Sequence, residues 1–271
     1  MTISILGCGW IGLPLAQHLA GRDHQVKGST TTPGKIQLLE QAGIEPYLIS
    51  LDPEVACDNC EEFWQAEVLV LNVPPASRRD DVETNHPKQV ASVIEHAIEG
   101  GIQHVIFISS TSVYPDGYGI VTEEDKHAPA TPNGRALRTA EAMLIQQEAF
   151  DTTVLRFGGL YGYDRHPARY LAGRRNLGRG SAPVNMLHRD DAVQVITRII
   201  EEDIRSEVFN VCSDGHPPRR EFYTTAAEHL GLEPPVFKED KNDDYKIVSN
   251  QKLKETLHYN FYYPNPMDHT P

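Results

Sequence analysis

The chain begins with an apolar strand that leads directly into a glycine turn and a helix, in the run Ile3-Ser4-Ile5-Leu6-Gly7-Cys8-Gly9-Trp10-Ile11-Gly12. Gly7 allows a tight turn, Gly9 lets the backbone approach a pyrophosphate, and Gly12 lets the helix pack against the strand. The N-terminal end of a helix attracts anions, so the backbone of Trp10 and Ile11 should lie against the phosphates. The run predicts a dinucleotide-binding unit; the alternative is a turn with a purely structural role.

The residues after the second predicted strand indicate which dinucleotide is bound. The strand is His24-Gln25-Val26-Lys27-Gly28, and an NAD site would place a ribose-binding acid about twenty residues past the glycines, near Thr30. No acid occurs there. The hydroxyl residues Ser29, Thr30, Thr31 and Thr32, with Lys35 beyond them, would suit a 2′-phosphate. We therefore expect NADP rather than NAD, although the arginine often used for that phosphate is missing. Alternatively, the threonines only cap a helix that begins near Pro33.

Strands and helices alternate through the middle of the chain. The predicted elements are the strand Val68–Val73, a helix from Asn85 to Glu99, the strand His104–Ser110, a helix from Gly134 to Phe150 and the strand Thr153–Arg156. This order predicts an α/β fold with a doubly wound parallel sheet of the Rossmann type. Ligands of such sheets bind beyond the carboxyl ends of the strands. We therefore add Asn72, Val73, Pro74 and Ser109 to the expected cofactor site.

Composition narrows the classes of partner. The net charge of −13 argues against nucleic acid and anionic lipid as partners. No apolar run is long enough to span a bilayer, and the N-terminus lacks the features of a signal peptide, so we expect a cytoplasmic protein. Its four cysteines fit a reducing compartment. Cys57-x-x-Cys60 lies in a predicted surface loop without a second pair at metal-site spacing, and neither a zinc nor a redox role is favoured.

One stretch collects positive side chains within this acidic chain. Such a cluster would attract an anionic ligand; alternatively, it is a solvated loop whose arginines pair with acids elsewhere. Its members are Arg165, His166, Arg169, Arg174, Arg175, Arg179 and, just beyond, Arg189.

Four segments carry a family resemblance. They are Ser109–Tyr114 (SSTSVY), Arg156–Gly162 (RFGGLYG), Leu187–Val193 (LHRDDAV) and Phe209–Val211 (FNV). The chain resembles an extended short-chain dehydrogenase/reductase, of the NAD(P)-dependent epimerase/dehydratase superfamily, over nearly its whole length. Within that superfamily it is similar to the atypical YeeZ-like group, which has Gly-Trp-x-Gly, Ser-Ser-Thr-Ser-Val-Tyr and an Arg-His-Pro loop.

The resemblance implies roles for several residues. Ser110 takes the position of the catalytic serine, and the segment containing Gly158 passes the nicotinamide. Residues 1–156 plus 190–204 would form the cofactor domain, and residues 157–189 plus 205–271 a small substrate domain. The resemblance also implies a homodimer formed through the helices at 85–99 and 134–150.

The chain departs from the family at the proton-transfer pair. Alignment on Glu141 puts Asn133 where the family has tyrosine and Leu137 where it has lysine. Neither side chain can transfer a proton at neutral pH. The acid pair of the dehydratases is also replaced, by Thr111 and Ser112.

Several residues could take over the missing roles. The candidate proton donors beside Ser110 are Tyr114 and Tyr161, with His166 and His188 as alternatives. Arg135 or Arg138 could supply the charge on the ribose. The substrate is expected to contact Thr111, Arg165, His166, Arg169 and His188. Asp190 and Asp191 could act as an acid–base pair, but they more simply stabilise a helix start.

Two functional hypotheses follow. In the first, the protein is an NADP-dependent oxidoreductase or epimerase that acts on a small anionic hydroxyl- or carbonyl-bearing substrate. In the second, it is a catalytically inactive NAD(P)-binding protein that acts as a redox sensor or a structural partner. Asn133 and Leu137 favour the second hypothesis, whereas Ser110 and the positive cluster favour the first.

Overall fold

The computed structural model describes residues 1–75, 80–239 and 244–268. Among these residues, no helix combines the length and the apolarity needed to cross a bilayer. The strands, in chain order, are β1 (Thr2–Leu6), β2 (Gln25–Thr30), β3 (Glu45–Leu48), β4 (Ser50–Leu51), β5 (Val55–Ala56), β6 (Val68–Leu71), β7 (His104–Ser110), β8 (Gly119–Val121), β9 (Asp151–Phe157), β10 (Gly159–Tyr161), β11 (Met186–His188), β12 (Val208–Val211) and β13 (Lys246–Val248).

The helices have recognisable start and stop signals. Thr131 caps the fifth helix by accepting a hydrogen bond from the Gly134 N–H at 3.1 Å, and Gly101 ends the fourth helix in the left-handed conformation, at φ 77°. The helices are α1 (Gly12–Ala20), α2 (Ile36–Gln41), α3 (Glu61–Trp64), α4 (Val82–Gly100), α5 (Pro132–Ile145), α6 (Ala168–Leu171), α7 (Arg189–Glu201), α8 (Arg219–His229) and α9 (Gln251–Leu257).

A seven-stranded sheet with the order β12-β9-β7-β6-β1-β2-β3 forms the centre of the fold, and the pairings from β7 to β3 are parallel. All four residues of β6 are buried, as expected for a parallel strand covered by helices on both faces. The predicted α/β fold is confirmed. The chain leaves β1 toward β2 and β3, then returns to β6 on the other side of β1. This reversal is the topological switch point, where ligands of doubly wound sheets bind.

The chain divides into two compact units. The first contains Met1–Val113, Pro129–Arg156 and Val193–Val208; the second contains Tyr114–Ala128, Phe157–Ala192 and Phe209–Pro271. The second unit is built from the pairs β10–β11 and β13–β8 and from the packing of α6 against α8. Residues 114–128, which the sequence assigned to the cofactor domain, belong to the second unit because β8 pairs with β13.

Some predicted boundaries were wrong. The helix predicted to reach Phe150 ends at Ile145, because the Gln147 N–H and the Thr152 hydroxyl both donate to the Leu144 carbonyl. The strand predicted to end at Gly28 continues to Thr30. Strand β3 was not predicted, since its short sequence Glu-Pro-Tyr-Leu contains a proline, which strands tolerate at an edge.

Candidate functional site

The glycine turn after β1 has a conformation and a packing that require glycine at two positions. Gly7 has φ +105°, and a Cβ added there would lie 2.7 Å from the Asn72 carbonyl oxygen. A Cβ at Gly12 would lie 2.1 Å from the Gly7 carbonyl oxygen. By contrast, a Cβ at Gly9 would meet no atom within 4 Å. Gly7 and Gly12 therefore serve the fold, while Gly9 faces open space, where the sequence predicts a pyrophosphate.

Hydrogen bonds fix this turn to the ends of the neighbouring strands. The Asn72 amide donates to the Gly7 carbonyl at 3.0 Å. On the other side, the Gly7 N–H donates to the Ser29 hydroxyl and the Cys8 N–H to the Ser29 carbonyl, both at 2.8 Å. The bonding of α1 starts with the Leu13 N–H donating to the Gly9 carbonyl at 3.1 Å. The carboxyl ends of β1, β2 and β6 are thus held together around one turn.

A cavity of about 290 Å³ opens at these strand ends. Among the described residues that line it, Lys35 carries the only charged side chain, and none is acidic. The lining residues are Leu6, Gly7, Cys8, Gly9, Ser29, Thr30, Thr31, Thr32, Lys35, Ile49, Leu51, Asn72, Val73 and Pro74. Ten of the fifteen predicted cofactor residues line this cavity, and the five that do not are Trp10, Ile11, Gly12, Ser109 and Gly158.

The hydroxyl residues at the end of β2 and directly after it form one wall of this cavity. The Thr30 hydroxyl accepts a hydrogen bond from the Thr32 N–H at 3.1 Å. Thr32 precedes a short 3₁₀ turn at Pro33–Lys35, but its side chain makes no capping hydrogen bond to that turn. Burial raises the pKa of the Cys8 thiol to about 12, and the positive charge of Lys35 opposes this shift. The Lys35 side chain is exposed and lies in the lining of the same cavity.

A buried ion pair that the sequence analysis missed lies behind Ser109. The Arg156 guanidinium donates to the Glu141 carboxylate from Nη2 at 2.7 Å and from Nε at 3.1 Å. The Ser109 hydroxyl donates to the same carboxylate at 2.6 Å. This network joins the end of β7 to α5 and β9. Glu141 served in the sequence only as an alignment position, and no local pattern there signalled a partner fifteen residues along the chain.

The turn after Ser110 packs closely against the start of α5. The Ser110 hydroxyl accepts a hydrogen bond from the Ser112 N–H at 3.1 Å, and Thr111 is buried. A Cβ at Gly134 would lie 2.4 Å from the Ser112 carbonyl oxygen, so glycine permits this approach. At the two positions where the family has tyrosine and lysine, Asn133 is half-buried and Leu137 belongs to the apolar core.

Tyr114 is buried with its hydroxyl already engaged. The hydroxyl donates to Asn210 Oδ1 at 2.8 Å, and the Tyr114 carbonyl accepts a hydrogen bond from Lys246 Nζ at 2.5 Å. These contacts tie Tyr114 into the second unit. We therefore do not retain Tyr114 as a proton donor, because its hydroxyl is occupied by a structural hydrogen bond.

Aromatic side chains surround His188 in the second unit. Its ring stacks on Tyr263, with centroids 3.6 Å apart, and meets Tyr161 edge-on at 5.1 Å. Both Tyr163 and Tyr263 donate their hydroxyl protons to Asp190, at 2.9 and 3.3 Å. Burial and the Asp191 carboxylate raise the pKa of Tyr161, so this hydroxyl keeps its proton at neutral pH. The sequence analysis had not singled out Tyr263, which joins the cluster from the C-terminal segment.

Asp190 and Asp191 lie in the first turn of α7, and the Asp191 carboxylate has a structural role. Asp191 is fully buried and accepts hydrogen bonds from the Tyr259 hydroxyl and from the N–H groups of Tyr262 and Tyr263, at 2.7 to 3.0 Å. Burial raises its pKa, and these three bonds oppose the shift. Asp191 therefore fastens the C-terminal segment to α7.

The positive cluster is partly neutralised. Arg175 pairs with Glu233 at 2.6 Å, and Arg179 pairs with Asp116 at 2.8 Å. Arg135 likewise pairs with Glu83 on the surface, at 2.8 Å. The remaining members of the cluster are half-buried or exposed: Arg165, His166, Arg169, Arg174 and Arg189.

Gly158, between β9 and β10, donates a hydrogen bond from its N–H to the Val211 carbonyl at 2.9 Å.

Cys57 and Cys60 form a disulfide. The sequence analysis placed this pair in a surface loop and favoured no redox role for it. In the structure the two cysteines are covalently bonded, and they lie between the β4–β5 hairpin and α3. Cys8 and Cys212 are free and buried.

Known proteins resemble this chain over almost its full length. A family model described as NAD(P)H-binding matches residues 7–203. Protein YeeZ of Escherichia coli K12 is 34% identical over 268 residues, which cover 98% of this chain and 97% of that protein.

Two solved structures share the fold. A functionally unknown conserved protein from Silicibacter pomeroyi is 25% identical, with a TM-score of 0.79 over 98% of this chain and 95% of its own. A UDP-glucuronic acid 4-epimerase from Bacillus cereus, in complex with UDP-glucuronic acid and NAD, has a TM-score of 0.79 at 19% identity, over 100% of this chain and 98% of its own. The chain therefore belongs to the NAD(P)H-binding family and is a homologue of protein YeeZ.

Proposed function

We propose that the protein binds NADP in the cavity at the ends of β1, β2 and β6. The observation that carries this proposal is the charge of the lining: among the lining residues that the structure describes, Lys35 is present and a carboxylate is absent. An acid there would accept hydrogen bonds from the ribose hydroxyls of NAD and would repel a 2′-phosphate. Hydroxyl groups and an ammonium group suit the phosphate instead.

The experiment is a fluorescence titration with NADPH and NADH. Lys35→Glu should weaken NADPH binding by about tenfold or more, because a favourable charge becomes a repulsive one, and should leave NADH binding nearly unchanged. Lys88→Glu is the matched control, since it makes the same charge change at an exposed lysine outside the cavity lining. Equal affinities of the wild type for NADPH and NADH would refute the preference for NADP.

We further propose an oxidoreductase or epimerase reaction on a hydroxyl- or carbonyl-bearing substrate. When bound, NADP supplies a hydride acceptor or donor at its nicotinamide ring. Ser110 would orient the substrate oxygen, and Ser109 and Gly158 would contact the nicotinamide side of the cofactor. The support is the position of Ser110 at the carboxyl end of a central strand, next to a turn held by its own hydroxyl. Arg135 or Arg138 would supply the positive charge on the ribose.

Tyr161 is the proposed proton donor. Its hydroxyl is buried close to the Ser213 side chain, and neither hydroxyl has a partner of good hydrogen-bond geometry among the described residues. Buried polar groups without such a partner are uncommon. The raised pKa of Tyr161 keeps the proton in place until an oxygen that has become more basic can take it. Tyr161→Phe should abolish most turnover, whereas Tyr114→Phe should lower stability but preserve turnover. Full activity of Tyr161→Phe would refute this role.

The substrate is proposed to be small and anionic. Arg165 and His166 are half-buried, and Arg169 is exposed on the same short segment, so positive charge is concentrated there. His188 and Thr111 are the further proposed contacts. The B. cereus structure contains UDP-glucuronic acid, a carboxylate-bearing nucleotide sugar. A panel of sugar nucleotides, sugar phosphates and aldehydes, followed by nicotinamide absorbance, tests this class of substrate.

The second candidate is a catalytically inactive NAD(P)-binding protein. The observation that favours it is Leu137, which is 3% exposed and packed in the core at the position of the family's lysine. Tight NADPH binding without turnover on the panel, unchanged by Asn133→Tyr with Leu137→Lys, would support this candidate. A homodimer through α4 and α5 remains a proposal for either function, and light scattering tests it.

A further inference from the structure

The Cys57–Cys60 disulfide lies between the β4–β5 hairpin and α3, and hydrogen bonds hold the chain on both sides of it to other parts of the first unit. On one side, the Gln89 amide donates to the Leu51 carbonyl at 2.9 Å, and the Val55 N–H donates to the Ser92 hydroxyl at 3.0 Å. These bonds hold the β4–β5 hairpin against α4. On the other side, Lys27 Nζ on β2 donates to the carbonyl of Gln65, the residue that directly follows α3, at 3.1 Å.

The hairpin also forms a wall of the cofactor cavity. Ile49 and Leu51, at the start of the hairpin, line the cavity of about 290 Å³. A neighbouring cavity of about 350 Å³ is lined by Cys57 and shares Thr31 and Ile49 with the first. The disulfide is thus one layer of residues away from the hydroxyl residues proposed to hold the 2′-phosphate.

We propose that Cys57 and Cys60 form a reversible thiol–disulfide exchange site whose oxidation state sets the affinity of the adjacent cavity for NADP. The coupling rests on the proposed cofactor, whereas the exchange chemistry does not. With the bond closed, the end of the hairpin is fixed against α3 and the cavity wall is ordered. Reduction releases this end, so NADP binding must then order the wall itself.

The accessibility of the two sulfurs sets the direction of the exchange. Cys57 is half-buried and lines an open cavity, whereas Cys60 is 5% exposed. A thiolate from a small cellular thiol therefore attacks the Cys57 sulfur, and Cys60 leaves as a thiolate that takes up a proton. A second thiolate attacks the outer sulfur of the mixed disulfide and releases Cys57, which is then protonated. In total, two thiols become one disulfide, and the protein gains two electrons and two protons.

The other two cysteines do not compete for this chemistry. Cys8 and Cys212 are both buried, and burial raises the pKa of each thiol. They remain protonated and shielded at neutral pH, so they react slowly. Rapid thiol labelling of the native protein therefore reports on Cys57 and Cys60.

The first measurement counts reactive thiols, using maleimide labelling and intact mass. The oxidised protein should show no rapid label, and protein treated with dithiothreitol should show two, on Cys57 and Cys60. Oxidised glutathione should then restore the unlabelled state. Failure to form or to reduce the bond under native conditions would overturn the exchange site, whether or not NADP binds.

The second measurement compares NADPH affinity between the two states. Reduction should weaken binding about three- to tenfold, as expected for ordering a few side chains on binding. The double variant Cys57→Ser/Cys60→Ser should bind like the reduced protein and should not respond to dithiothreitol; its melting curve checks that it folds. Cys212→Ser is the control and should respond like the wild type. Equal affinity in both states would overturn the coupling and leave the cofactor proposal intact. No binding in either state would instead refute the cofactor proposal.

Discussion

The buried Glu141–Arg156 pair should contribute far more stability than a surface pair of the same chemistry. Glu141→Gln removes one charge while keeping the side-chain shape. The two side chains are 2% and 4% exposed, so Arg156 would lose its carboxylate partner where water cannot replace it. Breaking a buried pair on one side costs about 3 kcal/mol or more. The Ser109 hydroxyl would also lose a charged acceptor.

The exposed pair of Arg135 with Glu83 provides a matched control. Glu83→Gln makes the same chemical change, and the Glu83 carboxylate likewise accepts two bonds from its arginine, both at 2.8 Å. Both side chains of this pair are more than 40% exposed. Water and salt screen such a pair, so its loss should change stability little.

Thermal melts followed by circular dichroism decide between these expectations. A loss of about 3 kcal/mol corresponds to about 6–12 °C for a unit of this size. Glu141→Gln should therefore melt well below the wild type, and Glu83→Gln close to it. Equal shifts for the two variants would refute the argument that burial makes the first pair important.

Three further predictions follow from the structure. Gly9→Ala should fold normally but bind NADPH about tenfold more weakly, whereas Gly12→Ala, whose Cβ would lie 2.1 Å from a carbonyl oxygen, should lower the melting temperature; melts and titrations together test this contrast. Burial lowers the pKa of His104 from 6.5 to about 4, so the unfolded chain takes up a proton first and stability falls as the pH drops from 7 to 5. His104→Gln should remove about 2 kcal/mol of that loss, measured by urea unfolding at both pH values. Asp191→Ala removes the acceptor of three hydrogen bonds that hold the C-terminal segment, so chymotrypsin should cleave residues 259–263 faster than in the wild type, as judged by mass spectrometry.

The sequence determined the features that depend on local chemistry. The apolar strand before Gly7, and the glycines at 7 and 12, predicted the first strand, turn and helix, because steric limits on the backbone act over a few residues. The alternation of strands with helices predicted the parallel sheet, because each helix connects two strands and packs its apolar face on the sheet. The absence of an acidic residue near Thr30 could also be recognised from the sequence, since the ribose-binding acid of an NAD site lies at a fixed distance from the glycine turn.

The tertiary structure decided what depends on residues distant in sequence. Glu141 meets Arg156, Tyr114 meets Asn210, and the Asp191 carboxylate holds the segment around Tyr263. None of these pairings has a local signature, because a buried polar group needs a partner but its sequence does not say which one. Cys57 and Cys60 are close in sequence, but only the fold brings Cys57 beside Thr31 and Ile49, which also line the cavity at the ends of β1, β2 and β6.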